Sequence, residues 1–316
     1  MPILRYHAVD FAGGDPLLSG THELEVTWSE INWAAQTVGK AEHDVSMHGL
    51  FSVFEATYRT TMVWANLMES AGGRLIKSPA YEALDPSEKG SISYYLGLIF
   101  AKLFAFRRLG TPWLLHFDVY REQHDAQLEG KEKPDLIGLN AAGGWIVYEA
   151  KGRTGGFLKS VLDDAKGQVQ EISTIGGVEP VLRMGSLVYF RSDGLHLSVV
   201  DPASSKSRRQ REVKLSEAEF FARYFARLNV GIDVPQNIRL EERNGEEYRV
   251  LELNDLDVEI GVPVIFPLGR RVTPTAQLFG ASFVGPDGIE ITLGGAWSQV
   301  NMRRDPRLRT RETVRA

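Results

Sequence analysis

Two short signals in this chain carry the residue types of phosphodiester hydrolysis. One is Pro134-Asp135 and the other is Glu149-Ala150-Lys151. Between them the sequence reads as a β-hairpin, with runs over 134–140 and 145–151 around the turn Ala141-Ala142-Gly143-Gly144. In an antiparallel hairpin the start of one strand lies beside the end of the other. Asp135 therefore meets Glu149 and Lys151 at one end, although 14 positions separate the two carboxylates. Two carboxylates and an ammonium in one place can hold a divalent metal, activate a water and neutralise charge at a phosphate. A small set of oxygen ligands suits Mg²⁺, which keeps waters for substrate and nucleophile, with Mn²⁺ as a substitute.

The positioning elements follow from periodicity. Side chains alternate along a strand, so Trp145, Val147, Glu149 and Lys151 share one face. Ile146, Tyr148 and Ala150 share the other. Both faces are largely apolar, the pattern of a central strand covered on either side. Charged groups at the end of such a strand are costly unless paired or bound to a metal. An apolar helix is expected over about 91–107 and a strand over 113–120, joined to the hairpin by the polar stretch 121–133. After the loop at 152–156, a helix is expected over 157–173, with Val161, Ala165, Gln168 and Ile172 on one face. Gln168 is a polar residue in that apolar stripe. Gly167 beside it costs about 1 kcal/mol relative to alanine in mid-helix, which suggests close packing or function. Strands over 181–190 and 195–200 flank the turn Ser192-Asp193-Gly194.

With these residues and this order of elements, the stretch 86–200 resembles the PD-(D/E)XK nuclease superfamily, the restriction-endonuclease-like fold. The resemblance implies an α/β fold with an αβββαβ core around a central mixed sheet. It implies Asp135 and Glu149 as Mg²⁺ ligands, Lys151 as the catalytic lysine and Gln168 as a site residue on the following helix. The chain departs from the family pattern in two places. The aromatic residue that some branches place four positions after the glutamine is Ile172 here. Many members add an acid from the first core helix, yet residues 92–106 contain no Asp or Glu. Glu55, Glu69, Glu88 and Asp118 are the candidates for that acid, each an ordinary surface carboxylate by default. Arg153 and Lys166 are cations that could reach a phosphate.

The rest of the 316-residue chain bounds this reading. A length of this order allows about two domains. Residues 1–85 are expected as a mostly helical N-terminal extension, 86–235 as the nuclease core and 236–316 as a β-rich C-terminal region with a basic tail. In the first, a helical period places apolar residues at 50, 51, 54, 58, 62, 63 and 67. In the second, Ser216 and Glu219 form a capping-box pattern before a helix with Phe221, Tyr224, Phe225 and Leu228 on one face, expected as core. In the third, Asn244-Gly245 marks a hairpin and Asp287-Gly288 another turn.

Absence of cysteine excludes disulfides and thiolate chemistry, and seven scattered histidines lack zinc-site spacing. No stretch reads as a signal or membrane span, so a cytoplasmic protein with no membrane partner is expected. The net charge of −5 argues against binding polyanions over a broad surface. Local cations remain, in the run Lys206, Arg208, Arg209, Arg211, Lys214 and in six arginines from Arg303 to Arg315. The acidic hairpin residues Glu241, Glu242, Glu246, Glu247 and Glu252 suit a protein partner, or a homo-oligomer through the C-terminal region.

The expectation is a Mg²⁺-dependent nuclease acting on DNA as an endonuclease, by analogy in a restriction or anti-phage system. The alternatives are a non-catalytic scaffold or recognition subunit with the same fold, and a nuclease directed at RNA.

Overall fold

The computed structural model describes residues 1–119, 133–201, 211–225, 238–243, 245–264, 277–279 and 282–298. The chain opens with β1 (Ile3–Val9) and β2 (Gly20–Glu25), then runs through α1 (Trp28–Thr37) and α2 (Leu50–Asn66). A small ladder, β3 (Leu67–Glu69) and β4 (Leu75–Lys77), and the short α3 (Pro79–Ala83) lead into α4 (Pro86–Leu109). Next come β5 (Trp113–His116), β6 (Leu136–Leu139), β7 (Trp145–Gly152) and α5 (Lys159–Gln170). They are followed by β8 (Ile172–Ile175), β9 (Leu182–Arg191), β10 (Gly194–Val200), β11 (Arg211–Val213) and α6 (Glu217–Tyr224). The C-terminal part contains β12 (Ile238–Arg243), β13 (Glu246–Leu253), β14 (Val258–Pro263), β15 (Gln277–Phe279), β16 (Ser282–Val284), β17 (Glu290–Leu293) and α7 (Gly295–Ser298).

These elements make a mixed α/β protein. The central sheet has seven strands in the order β2-β1-β10-β9-β7-β6-β5. β1 runs parallel to β10 and β7 parallel to β9, and the other neighbours are antiparallel. The second large sheet is antiparallel, in the order β12-β13-β14-β17-β16-β15. Parallel neighbours need a crossover, and α5 lies in the one from β7 to β9. The mostly helical segment 1–85 opens with β1 and β2, which are strands of the central sheet. That pairing joins β1 to β10 across almost 200 positions, a contact no local pattern carries.

The alternation along β7 is realised on both faces. Ile146, Tyr148 and Ala150 pack into the core that contains Leu96, Phe100 and Phe104 of α4. Trp145 and Val147 pack on the opposite side with Val169 of α5 and Phe220 of α6. The α4 core continues through Trp33 of α1 to Ile260, Phe283 and Ile291 of the C-terminal sheet. Among the described residues no helix is long and apolar enough to cross a membrane.

α4 is longer than its apolar stretch suggests. Asp85 caps it in a reciprocal capping box with Glu88, Pro86 occupies the first turn and Gly110 closes it in the left-handed region (φ 58°). It crosses β7 backbone to backbone. A Cβ on Gly152 would stand 1.7 Å from the Ser93 carbonyl oxygen, and one on Gly97 would stand 2.9 Å from the Lys151 carbonyl. A methyl at Gly152 must therefore push α4 off the end of β7. Gly152→Ala is expected to lower the unfolding free energy by about 1–3 kcal/mol, read by urea denaturation.

Candidate active site

The open end of the β6–β7 hairpin is locked by two crossed hydrogen bonds. The Asp135 N–H donates to Glu149 Oε2 (2.8 Å), and the Ala150 N–H donates to Asp135 Oδ2 (3.0 Å). Each carboxylate thus holds the backbone of the opposite strand, one step beyond the Leu136–Tyr148 pair. Lys151 Nζ donates to Glu149 Oε1 and to Gln168 Oε1, the latter at 2.8 Å. All four residues singled out in the sequence, Asp135, Glu149, Lys151 and Gln168, are brought together, from two strands and the crossover helix.

Glu149 is 2% exposed, while the Lys151 side chain is 29% exposed at the rim. Burial pushes the Glu149 carboxyl up, and the Asp135 charge adds to this against the opposing pull of Lys151. Burial also pushes Asp135 up, opposed by the Ala150 N–H and Lys151. One ammonium beside two buried carboxylates leaves the site short of positive charge. A hard divalent cation supplies that charge and matches an all-oxygen donor set. Asp135 and Glu149 are the residues here that could hold such a cation. Among the described residues no three His, Cys, Asp or Glu side chains form a ready metal cage.

Three details of α5 differ from the sequence pattern. The helix ends at Gln170, and Ile172 belongs to β8, where it pairs with Arg211 of β11. The buried face is Leu162, Ala165 and Val169, so Gln168 flanks the apolar stripe and turns toward Lys151. Gly167 is not packed closely: a Cβ there meets nothing within 4 Å. Gly167→Ala is therefore expected to stabilise the fold by about 0.5–1 kcal/mol, seen as a higher denaturation midpoint at unchanged slope.

The four candidate acids are placed apart. Glu55 is held by Lys40 (2.6 Å) and Arg59 (2.9 Å), Glu69 faces the Met1 amine (3.7 Å), and Glu88 is the capping-box acid of α4. Asp118 pairs with Lys133 (3.1 Å) and acts electrostatically on Asp135, which makes it the acid of this set nearest the site in effect. Lys166 pairs with Asp10 (3.4 Å), and the Arg153 N–H donates to the Val188 carbonyl (2.9 Å). Lys206, Arg208, Arg209, Leu228, Asn244 and the arginines from Arg303 onward lie outside the described residues.

Two neighbours of the site escape sequence reasoning. His116 ends β5 opposite Leu136, with its ring against Gly39, where a Cβ would come within 2.2 Å of it. Burial pushes its imidazole down, and the Asp135 backbone opposes this. Tyr94 of α4 has its backbone nitrogen 3.0 Å from a Cβ built on Gly152. Its phenol is pushed up to about 12 by burial and by the Asp135 and Glu149 carboxylates. Neither residue carries a spacing signal. Their place follows from the β5–β6 register and from the close crossing of α4 over β7.

The acidic C-terminal hairpin is also less negative than its sequence. Arg239 contacts Glu241, Glu252 and Glu259, and Arg243 contacts Glu241, Glu259 and Glu290. Comparison with protein-family models, curated proteins and solved structures gives no match to this chain.

Proposed function

We propose that this chain is a Mg²⁺-dependent phosphodiesterase that cleaves nucleic acid, with DNA as the substrate and internal cleavage as the mode. The observation that carries this reading is the interlocked Asp135–Glu149 pair with Lys151 bridging Glu149 and Gln168. The order α4, β5, β6, β7, α5, β9 supports it, because it follows the αβββαβ core of the PD-(D/E)XK superfamily that the sequence resembles.

When bound, Mg²⁺ would lower the pKa of a water and offset charge developing on the phosphate. Asp135 and Glu149 would hold the ion. Each is oriented by a backbone N–H of the opposing strand, so the pair is preorganised before substrate arrives. Lys151, exposed at the rim, then serves the phosphate or the attacking water. Gln168 keeps its ammonium beside the carboxylates.

A second reading has its own support. Both Glu149 oxygens are already engaged by Lys151 and the Asp135 N–H, an arrangement that a non-catalytic scaffold would also hold. The test is incubation with circular DNA, linear DNA and RNA, in Mg²⁺, Mn²⁺ or EDTA. Opening of circular DNA in Mg²⁺ and not in EDTA is the expected result. Cleavage of RNA alone would move the substrate, and no cleavage of any of the three would leave the scaffold.

A further inference from the structure

α2 and α4 carry a continuous exposed ridge of aromatic rings that ends at the carboxylate pair. Phe51, Phe54 and Tyr58 stand at i, i+3 and i+7 on α2, along one helical face. They are 77%, 59% and 50% exposed. The ridge crosses to α4 through the Tyr58–Tyr95 ring contact (centroids 6.0 Å apart) and passes from Tyr95 to Tyr94 (5.6 Å). Tyr94 is 44% exposed, its backbone crosses Gly152, the residue after Lys151, and its phenol feels the charges of Asp135 and Glu149. A contiguous apolar surface of this kind marks a binding face.

Its composition and position select the ligand. The surface is mostly rings, with Leu50 (45% exposed) the one branched aliphatic group on the same face of α2, and every nucleobase offers a π-face to such rings. It is continuous with a site whose residues suit chemistry at phosphate. Charge along α2 does not oppose a polyanion, because Glu55, its acid, is paired with both Lys40 and Arg59. A duplex hides its base faces in the stack, so only unpaired bases can use the ridge.

We propose that Phe51, Phe54, Tyr58, Tyr95 and Tyr94 stack the unpaired bases of a strand whose backbone enters the Asp135–Glu149 site. The substrate is then nucleic acid that is single-stranded beside the scissile phosphate. This rests on the phosphodiesterase reading above.

Fluorescence anisotropy in EDTA separates the two ideas, because it reads binding without cleavage. The probes are a labelled oligothymidine and its duplex with oligoadenine. The wild-type chain is expected to bind the single strand about tenfold tighter than the duplex, and Phe54→Ala and Tyr58→Ala each to weaken single-strand binding about five- to tenfold. Thermal melts check that these exposed substitutions leave the fold intact. A chain that binds in this way but cleaves nothing in Mg²⁺ retains the ridge and loses the phosphodiesterase reading. A chain that cleaves, yet binds both probes equally and ignores the two substitutions, loses the ridge alone. If light scattering shows the substitutions converting a dimer to a monomer, the ridge joins two copies of this chain and the proposal falls.

Discussion

Lys151→Ala is expected to lower Mg²⁺-dependent cleavage by about 100- to 1,000-fold, the usual loss when one preorganised donor is removed from a developing charge. The same substitution should leave metal binding in place. Lys151 is not a ligand in this reading, and removing its charge leaves Asp135 and Glu149 more in need of a cation. Thermal denaturation reads this directly. The metal-free variant should melt below the wild-type chain, and added Mg²⁺ should raise its melting temperature at least as far as in the wild type. Asp135→Asn is the opposite case. Its amide oxygen can still accept from the Ala150 N–H, so the hairpin end stays closed, but a charged ligand is gone. Cleavage should fall as in the lysine variant, and the Mg²⁺ shift in melting temperature should disappear. Cleavage that persists in both variants would sink the site.

The hairpin was legible because two independent rules agree on it. Strand alternation sorts residues 145–151 onto two faces, and antiparallel pairing brings Asp135 to the end of the second strand. Both are local, so no distant partner can overturn them. α5 shows where that stops. Ile172 lies at helical spacing from Gln168, yet it is a strand residue, because β11 pairs with that segment and Arg183 donates to the Ile172 and Ser173 carbonyls. These partners are distant in the chain, and the apolar period cannot see them. The start of α4 failed for a different reason. The helix expected from about residue 91, where the apolar run begins, starts at Pro86, because proline is tolerated in a first helical turn and the Asp85–Glu88 box nucleates the helix there. The meeting of Asp135, Glu149 and Lys151 at the end of β7 was readable, but the close packing that places Tyr94 beside it depends on two glycines whose role appears only when α4 crosses the strand.

The largest stability effect is expected far from the carboxylates, at Asp287→Ala, with a loss of about 3–5 kcal/mol of unfolding free energy. Asp287 is fully buried at the turn before β17. It accepts from Trp33 Nε1 of α1 (2.9 Å), the Tyr224 hydroxyl of α6 (3.2 Å) and the Ile289 N–H (3.3 Å). Lys102 of α4, equally buried, donates to the Pro112 carbonyl (2.5 Å) and the Tyr224 hydroxyl (3.4 Å), with its ammonium 4.8 Å from the Trp33 ring centre. Burial pushes Lys102 down to about 8 against the attraction of Asp287. Burial pushes Asp287 up against the attraction of Lys102. Glu42 adds a buried acid on the same side, itself pushed up by burial and by Asp287.

Removing Asp287 leaves a buried ammonium without its counter-charge and three donors without an acceptor. Replacing both charges removes that penalty. Asp287→Asn combined with Lys102→Met should therefore recover most of the loss, and a double-mutant cycle in urea reads the coupling. The pH dependence gives a second readout. The folded value of Lys102, about 8, lies below its ordinary 10.5, so between those pH values the unfolded chain binds the extra proton. Stability contributed by this group therefore rises as pH rises through that window, and Lys102→Met should remove the slope. The network joins α1, α4, α6 and the C-terminal sheet, and α4 is the helix that meets β7 at Gly152. A clamp at Asp287 therefore bears on the site through α4. Asp287→Ala should lower cleavage less than Lys151→Ala does, and only as far as α4 loosens. An Asp287→Ala chain as stable as the wild type would show that the buried charges do not hold the two sheets together.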